Sequence, residues 1–155
     1  MDGSLELLCF GVGARRFAVD IQVVREILRP RPVTPVPGAP AGVQGVFNLR
    51  GELVPVVDTH RLLGESAPSD PPADAKFVVV RAGGSTFAVP VDRLFDVVSV
   101  PLDQVVPAPG GEDPDRAVVV GMFRREEEGG ATPVVLLLRA GRLFAGGHDA
   151  GGPRR

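Results

Sequence analysis

The sequence contains an internal repeat, and this repeat constrains the fold more than any other feature. The segment FAVDIQVVREI, which begins at Phe17, aligns with FAVPVDRLFDV, which begins 70 positions later at Phe87. The alignment continues without a gap to the Val-Pro pairs that end at Pro37 and Pro107. Coincidence in a valine-rich chain is the alternative, but an ungapped match of this length favours two copies of one folding unit.

Later segments of the two copies also correspond, after an insertion in the second copy. GVF at 45–47 matches GMF at 121–123, PVV at 55–57 matches PVV at 133–135, and RLL at 61–63 matches RLF at 142–144. We therefore expect one domain over residues 5–144, with a first unit at 5–64, a linker at 65–75 and a second unit at 76–144. The glycine-rich residues 145–155 are predicted to form a disordered tail.

The composition indicates that both units consist mainly of β-strands. The chain of 155 residues contains 20 glycines and 16 prolines, spread among valines and phenylalanines, which leaves little room for long helices. Each unit has a strand (residues 5–10 and 76–81), a glycine turn and a second strand with alternating apolar residues. About five short strands in about 60 residues are typical of a small β-barrel. The sequence thus predicts a mostly-β fold with one barrel for each unit.

The segment after the second strand of each unit is interpreted as a short helical turn. In the first unit, apolar residues recur at helical spacing between residues 23 and 28, after a possible cap at Asp20. In the second unit, Asp92 precedes an equivalent segment that runs to Val98. We expect one to two helical turns in each place.

Charge and composition disfavour several classes of function. The formal net charge is −2, so the excess of positive charge typical of nucleic-acid-binding proteins is missing. The eight phenylalanines are the only aromatic residues, so few side chains could stack on bases. The longest uncharged stretch, residues 32–49, contains four prolines and cannot form a membrane-spanning helix. No basic segment follows Met1, so we expect a cytoplasmic protein without direct membrane insertion. A mean hydropathy of +0.15 suggests apolar surface that is reserved for partners.

The sequence does not indicate a catalytic, metal or cofactor site. Two histidines, His60 and His148, cannot build a metal-binding cluster with the single Cys9, which is interpreted as a small core residue. Asp58 is close to His60, but no serine has the sequence context of a nucleophile. His60 is therefore interpreted as a surface or strand-end histidine. We predict no catalytic residue, no metal and no cofactor.

A predicted hairpin turn carries the most informative charged residue. Apolar segments at residues 43–49 and 53–58 flank Arg50 and Gly51, and Gly51 can adopt the positive φ of a tight turn. The stretch before Arg50 has no other charge, and Glu26 is its nearest plausible carboxylate partner. A guanidinium pairs well with a carboxylate on a partly apolar surface, so we predict a Glu26–Arg50 ion pair.

The predicted ion pair borders a predicted apolar groove. The residues expected to line this groove are Val24, Ile27 and Leu49. The second unit has Asp96 at the position of Glu26, but Arg124 and Arg125 match Arg50 only loosely. We therefore expect an asymmetric site in spite of the repeat.

At these residues the chain resembles CheW-like chemotaxis coupling proteins. The resemblance covers roughly residues 5–144 and rests on FGVGARRFAVDIQVVREI, GVQGVFNLRGELVPVVD and FAVPVDRLFDVVSVP. The most specific motif is NLRG at 48–51, followed by a V-P-V-V-D strand. The resemblance implies two SH3-like five-stranded β-barrels, packed on a shared apolar core, with short helical turns. It also implies a non-catalytic role.

The resemblance further implies partners and binding residues. CheW-like proteins bridge the cytoplasmic tips of methyl-accepting chemoreceptors and the regulatory domain of a histidine kinase, so recruitment to receptor arrays is expected. The implied receptor-binding groove consists of Val24, Glu26, Ile27 and Arg50, with Leu94 and Val97 as its far wall. The turn implied to face the kinase or another partner consists of Gly45, Asn48, Leu49 and Gly51.

Two other classes of function are alternatives to a coupling protein. One is a free-standing SH3- or OB-like barrel that binds nucleic acid, or a protein outside chemotaxis, although the charge and the few aromatics disfavour nucleic acid. An enzyme built on a double barrel is disfavoured because the sequence shows no catalytic constellation.

Overall fold

The structure is a computed structural model that describes residues 3–109, 117–127 and 129–144. The strands in these ranges are β1 (Ser4–Val12), β2 (Arg15–Asp20), β3 (Val24–Leu28), β4 (Val43–Leu49), β5 (Glu52–Val57), β6 (Lys76–Ala82), β7 (Ser85–Val91), β8 (Arg93–Pro101), β9 (Val106–Pro107), β10 (Val119–Arg124) and β11 (Val134–Leu138). The α-helix is α1 (Thr59–Leu63), and the 3₁₀ helices are Ile21–Val23, Leu102–Gln104 and Ala140–Arg142. The prediction of a mostly-β fold is confirmed, whereas the predicted tail at 145–155 lies outside the described residues.

The strands form two sheets, and each sheet takes strands from both units. The six-stranded sheet has the order β8-β1-β2-β11-β10-β9, and the five-stranded sheet has the order β3-β6-β7-β5-β4. In the repeat, the strands β3, β6, β7, β5 and β4 correspond to β8, β1, β2, β11 and β10. The first five strands of the larger sheet therefore have the same order as the smaller sheet, which agrees with the predicted duplication. The first hairpin of each unit thus joins later strands of the other unit, through the parallel pairs β2–β11 and β5–β7. The sequence units 5–64 and 76–144 therefore do not each correspond to one sheet.

Three clusters of buried apolar side chains stabilise the two sheets. The largest, called the shared core below, contains residues of both sheets, among them Phe17 and Phe87. A second cluster lies within the five-stranded sheet, where the rings of Phe47 and Phe77 are 5.4 Å apart between centroids. A third cluster lies within the six-stranded sheet and includes Phe123. Because burial of apolar surface is the main favourable term in folding, the shared core joins the two sheets into one domain.

The predicted helical turns are mostly strands in the structure. Only Ile21–Val23 is helical, as one 3₁₀ turn that begins where the Asp20 carboxylate accepts a 2.9 Å hydrogen bond from the backbone N–H of Gln22. The chain then forms β3, which pairs with β6, and the segment after Asp92 forms β8, which pairs with β1. Apolar spacing over so few residues does not distinguish a helix from a bulged strand. Both segments form strands because each pairs with a strand that is distant in the sequence.

A bulge in β3 places Val24 and Ile27 on the same face of the strand, as a helical turn would also have done. Val24 and Ile27 lie opposite Val80 and Val78, with one extra residue in β3 after Val24. Directly opposed residues of an antiparallel pair share one face of the sheet. Val24 and Ile27 therefore lie on the face that carries the shared-core valines, whereas Glu26 lies on the other face.

Asp92 and His60 connect the β1–β2 hairpin to α1. The helix is capped by Asp58 and places His60 Nε2 3.0 Å from Oδ2 of Asp92. Asp92 is buried and also accepts a 2.7 Å hydrogen bond from the backbone N–H of Gly13, in the β1–β2 turn. Arg93 donates a 3.0 Å hydrogen bond to the carbonyl of the same glycine. The sequence predicted that Asp92 precedes a helical turn and that His60 is a surface or strand-end residue. Both predictions are wrong.

Candidate protein-docking site

The structure brings Glu26 and Arg50 together, as predicted. Glu26 lies on β3, one edge of the five-stranded sheet, and Arg50 lies in the turn between β5 and the other edge strand, β4. Nη2 of Arg50 donates a hydrogen bond to Oε2 of Glu26. This hydrogen bond and the negative charge of Glu26 raise the pKa of Arg50 above its ordinary value. The pair bridges the two edges of the sheet, while 69% of the arginine side chain stays exposed.

The turn that carries Arg50 has an uncommon backbone conformation. Arg50 and Gly51 have φ angles of 52° and 89°, as a two-residue type I′ hairpin turn requires. The side-chain oxygen of Asn48 accepts a 2.7 Å hydrogen bond from the backbone N–H of Gly51 and closes the turn. Glycine adopts this left-handed region freely and asparagine does so readily, but arginine does so at a cost in free energy. An arginine at such a position points to a role for its side chain beyond forming the turn.

Two of the residues predicted to face a partner are buried. Leu49 packs in the cluster of the five-stranded sheet, so its side chain does not line a groove as predicted. Gly45 is also buried, and a Cβ at this position would lie 2.3 Å from the carbonyl oxygen of Thr34. Glycine is needed there because Thr34 pairs with Val46 through backbone hydrogen bonds of 2.8 and 2.9 Å. Asn48 and Gly51 are exposed.

The predicted receptor groove draws apolar residues from both sheets. Leu94 and Val97 lie on β8 opposite shared-core residues of β1, so they occupy the shared-core face of the six-stranded sheet. Val24 and Leu94 pack against the shared core, whereas Ile27 and Val97 are 37% and 48% exposed. Both β3 and β8 are edge strands of their sheets. The structure therefore places these four residues along margins of the shared core, and their union in one groove stays a prediction.

The second unit has an ion pair of its own. Nη2 of Arg125 donates a 2.8 Å hydrogen bond to Oδ2 of Asp96, which occupies the position of Glu26 in the repeat. One of the two arginines that match Arg50 only loosely in sequence thus pairs with Asp96, and the asymmetry expected of the site stays a prediction. Arg125 lies one position before Glu126, the residue that aligns with Arg50 when GVF at 45–47 is matched to GMF at 121–123. This offset explains why the aligned sequences alone did not identify the pair.

Comparison with protein families identifies the chain. A family model described as a CheW-like domain matches residues 6–147, nearly the whole sequence. The chain belongs to the CheW-like family. The predicted resemblance is thus confirmed.

Individual CheW-like relatives match most of the chain. The chemotaxis protein CheW of Rhizobium meliloti strain 1021 is 36% identical over 126 residues, which cover 81% of this chain and 81% of the relative. The protein FrzA of Myxococcus xanthus is 32% identical over 119 residues, which cover 77% and 74%. The crystal structure of the scaffolding protein TtCheW from Thermoanaerobacter tengcongensis matches with a TM-score of 0.77 at 22% identity, over 92% of this chain and 93% of TtCheW. The fold is therefore that of a solved CheW-like structure.

Two features of this CheW-like chain were missed by reasoning from the sequence. Leu53 is 68% exposed on β5, opposite Asn48 and next to the Arg50 turn. The alternation of Val54 and Val56 along the strand is a sequence signal that could have placed Leu53 on the outer face, because neighbouring residues of a strand point to opposite faces. The contact between His60 and Asp92 joins residues 32 positions apart, so no local pattern could have revealed it.

In residues 3–109, 117–127 and 129–144, no group of three or more His, Cys, Asp or Glu side chains could hold a metal ion. No helix in the same ranges is long and apolar enough to cross a membrane. Cys9 is buried, and burial raises the pKa of its thiol to about 11. Because the thiolate is the reactive form of cysteine, this thiol is a poor nucleophile.

Proposed function

We propose that this protein is a non-catalytic scaffold that couples chemoreceptors to a histidine kinase in a chemotaxis-type signalling pathway. The observation that carries the proposal is the exposed guanidinium of Arg50, held by Glu26 where two sheet edges meet. Membership of the CheW-like family, with relatives named as chemotaxis proteins, supports the pathway. The protein acts in the cytoplasm and is recruited to receptor arrays.

The receptor partner is the helical tip of a chemoreceptor's cytoplasmic domain. An amphipathic helix binds by laying its apolar face into a hydrophobic groove. The residues that form this groove are Val24, Ile27, Leu94 and Val97, of which two are exposed at the margin of the shared core. In this proposal Arg50 contacts the partner from the other face of β3, where Glu26 lies, and its charge determines the orientation and the specificity of the partner. Because Glu26 already holds the guanidinium in place, binding costs less side-chain entropy.

The kinase partner is the regulatory domain of a histidine kinase, and it contacts the β4–β5 turn. Asn48 and Gly51 form the exposed part of this turn, and Leu53 extends it with an apolar side chain. Leu49 contributes indirectly, because its buried side chain anchors the end of β4 beside the turn, and Gly45 lets the backbone of Thr34 approach β4. Two small contacts gain affinity when the partners are held close together. Coupling then requires that receptor and kinase bind to the scaffold at the same time.

Binding of a chemoreceptor cytoplasmic fragment to the purified chain tests the proposed site. Arg50→Glu is expected to weaken binding by at least about tenfold, because it reverses the charge that contacts the partner. Arg81→Glu is the matched control, since Arg81 is an exposed arginine on β6 that bonds Thr86. This control should bind like the parent, and circular dichroism should show all three chains folded.

Two outcomes would contradict the proposal. One is equal receptor binding by the parent chain and by Arg50→Glu, which would mean that the guanidinium of Arg50 does not contribute to the receptor site. The other is salt-dependent binding of DNA or RNA with no binding of receptor, which would favour a nucleic-acid-binding barrel.

A further inference from the structure

A largely apolar cavity on the six-stranded sheet borders the last described residues of the chain. It has a volume of about 410 Å³. Leu5 and Leu7 of β1 form part of its wall, together with Asp20 at the end of β2. Ala140 and Gly141, in the 3₁₀ helix Ala140–Arg142, complete the wall.

The repeat produces a second cavity at the equivalent place on the five-stranded sheet, with a volume of about 450 Å³. Residues that correspond in the two units line both cavities: Leu5 with Ala75, Leu7 with Phe77, Asp20 with Pro90, Val120 with Gln44, and Gly141 with His60. The two cavities are therefore one feature of the fold that occurs twice.

The two cavities differ in what fills and covers them. On the five-stranded sheet, the proline-rich residues 67–72, which follow α1, form one wall, and His60 brings its imidazole to Asp92. On the six-stranded sheet, Gly141 stands in the place of His60 and contributes no side chain. Asp20 brings a carboxylate to this wall, and its Oδ1 accepts the hydrogen bond from Gln22. This cavity thus has space for a side chain and a carboxylate that could pair with a basic group.

We propose that residues 145–155 bind in the cavity of the six-stranded sheet and set a basic side chain against Asp20. This segment follows the 3₁₀ helix Ala140–Arg142 just as the linker follows α1. Its sequence, AGGHDAGGPRR, combines small residues and a proline with three basic side chains, those of His148, Arg154 and Arg155. A basic group donates a charge-assisted hydrogen bond to a carboxylate. Arg139 also lines the cavity but has an interaction of its own.

The proposal does not depend on chemotaxis or on any partner. It assigns an intramolecular occupant to the cavity, and the occupant covers Leu5, the partly exposed side chain of β1 in the wall. Covering it by a segment of the same chain needs no second molecule, because the tether keeps the effective concentration of the segment high.

A paramagnetic label on the C-terminal segment tests this occupancy in the full chain. Ala150→Cys supplies the attachment site, and Cys9 does not compete because its thiol is buried and has a raised pKa. The amide NMR signals of Val120 and Gly141 should lose intensity. Those of Gln44 and His60, which line the other cavity, should not. Equal loss at both cavities, or no loss at either, would overturn the proposal.

Two further comparisons test the contact with Asp20 and the identity of the occupant. Asp20→Asn keeps a side-chain oxygen for capping Gln22 but removes the charge, so the intensity loss at Gly141 should shrink. Asp70→Asn, in the exposed linker, is the matched control and should leave the loss unchanged. An unchanged loss in Asp20→Asn would overturn the contact with Asp20. A loss that arises only between labelled and unlabelled copies would overturn the intramolecular occupant in favour of a second chain.

Discussion

The guanidinium of Arg50 bonds the carboxylate of Glu26 across the two edges of the five-stranded sheet, although the residues are 24 positions apart in the chain. Asp96 and Arg125 form a corresponding pair in the six-stranded sheet, between β8 and the residue that follows β10. Exposed ion pairs contribute little to stability. Stability alone therefore does not account for the Glu26–Arg50 pair, which agrees with the docking role proposed for Arg50.

Replacing Arg50 with asparagine should separate folding from docking. Asparagine tolerates the left-handed backbone of this turn better than arginine does, so the thermal midpoint of Arg50→Asn should equal or exceed that of the parent. Binding of the receptor fragment should nevertheless weaken, because the guanidinium is gone. Thermal melts and isothermal titration measure the two effects. A variant that binds receptor like the parent would show that the guanidinium is not used.

Exchanging the two charges tests whether Glu26 and Arg50 act as a pair. Glu26→Arg and Arg50→Glu should each weaken receptor binding, because each leaves two like charges facing each other. The double variant restores an ion pair and keeps a positive charge within the pair, now on residue 26, so it should recover part of the affinity. A double-mutant cycle of receptor affinities measures this coupling. A double variant that is no better than either single change would mean that the pairing does not matter.

The shared core should govern the stability of the whole domain. Phe87 is fully buried there, with its ring 5.2 Å from that of Phe144 between centroids. Phe87→Ala should lower the free energy of unfolding by about 3–5 kcal/mol, in one cooperative urea transition. Leu53→Ser is the exposed counterpart and should change it by less than about 0.5 kcal/mol. Two separate transitions in the parent would contradict a core that joins both sheets.

The buried thiol of Cys9 should make stability depend on pH at the alkaline end. Its pKa is raised from 9.0 to about 11, first of all by burial. Because the folded chain favours the neutral thiol, this contribution to stability is complete below pH 9 and is lost as the pH rises toward 11. Urea titrations at pH 8 and pH 10.5 should show a larger decrease for the parent than for Cys9→Ala. Equal decreases would mean that Cys9 titrates alike in both states.

Features encoded by neighbouring residues could be predicted from the sequence. Alternating apolar residues around Phe17 and Phe87 identified the hairpin strands, and the repeat indicated two similar units. The turn at Arg50 and Gly51 followed from two apolar segments flanking a glycine. The ion pair with Glu26 could be proposed because so few charges lie near Arg50 in the chain.

Features that depend on long-range pairing could not be predicted. A repeat does not reveal whether its first hairpin pairs within its own unit or, as here, with the other unit. The segment Val24–Leu28 has an apolar pattern that suits a helix and a bulged strand equally, and only its pairing with β6 decides between them. The burial of Leu49, the contact of His60 with Asp92, and the pairing of Arg125 with Asp96 all depend on this arrangement.

Simultaneous binding of both partners is the most direct test of a coupling function. Receptor-bearing vesicles are sedimented with the histidine kinase regulatory domain, in the presence of the parent chain, Arg50→Glu or Arg81→Glu. We predict that the kinase domain sediments with the parent and with Arg81→Glu, but remains in the supernatant with Arg50→Glu or without the chain. Sedimentation of the kinase domain that does not depend on the chain, or competition between receptor and kinase for the chain, would contradict a scaffold that joins them.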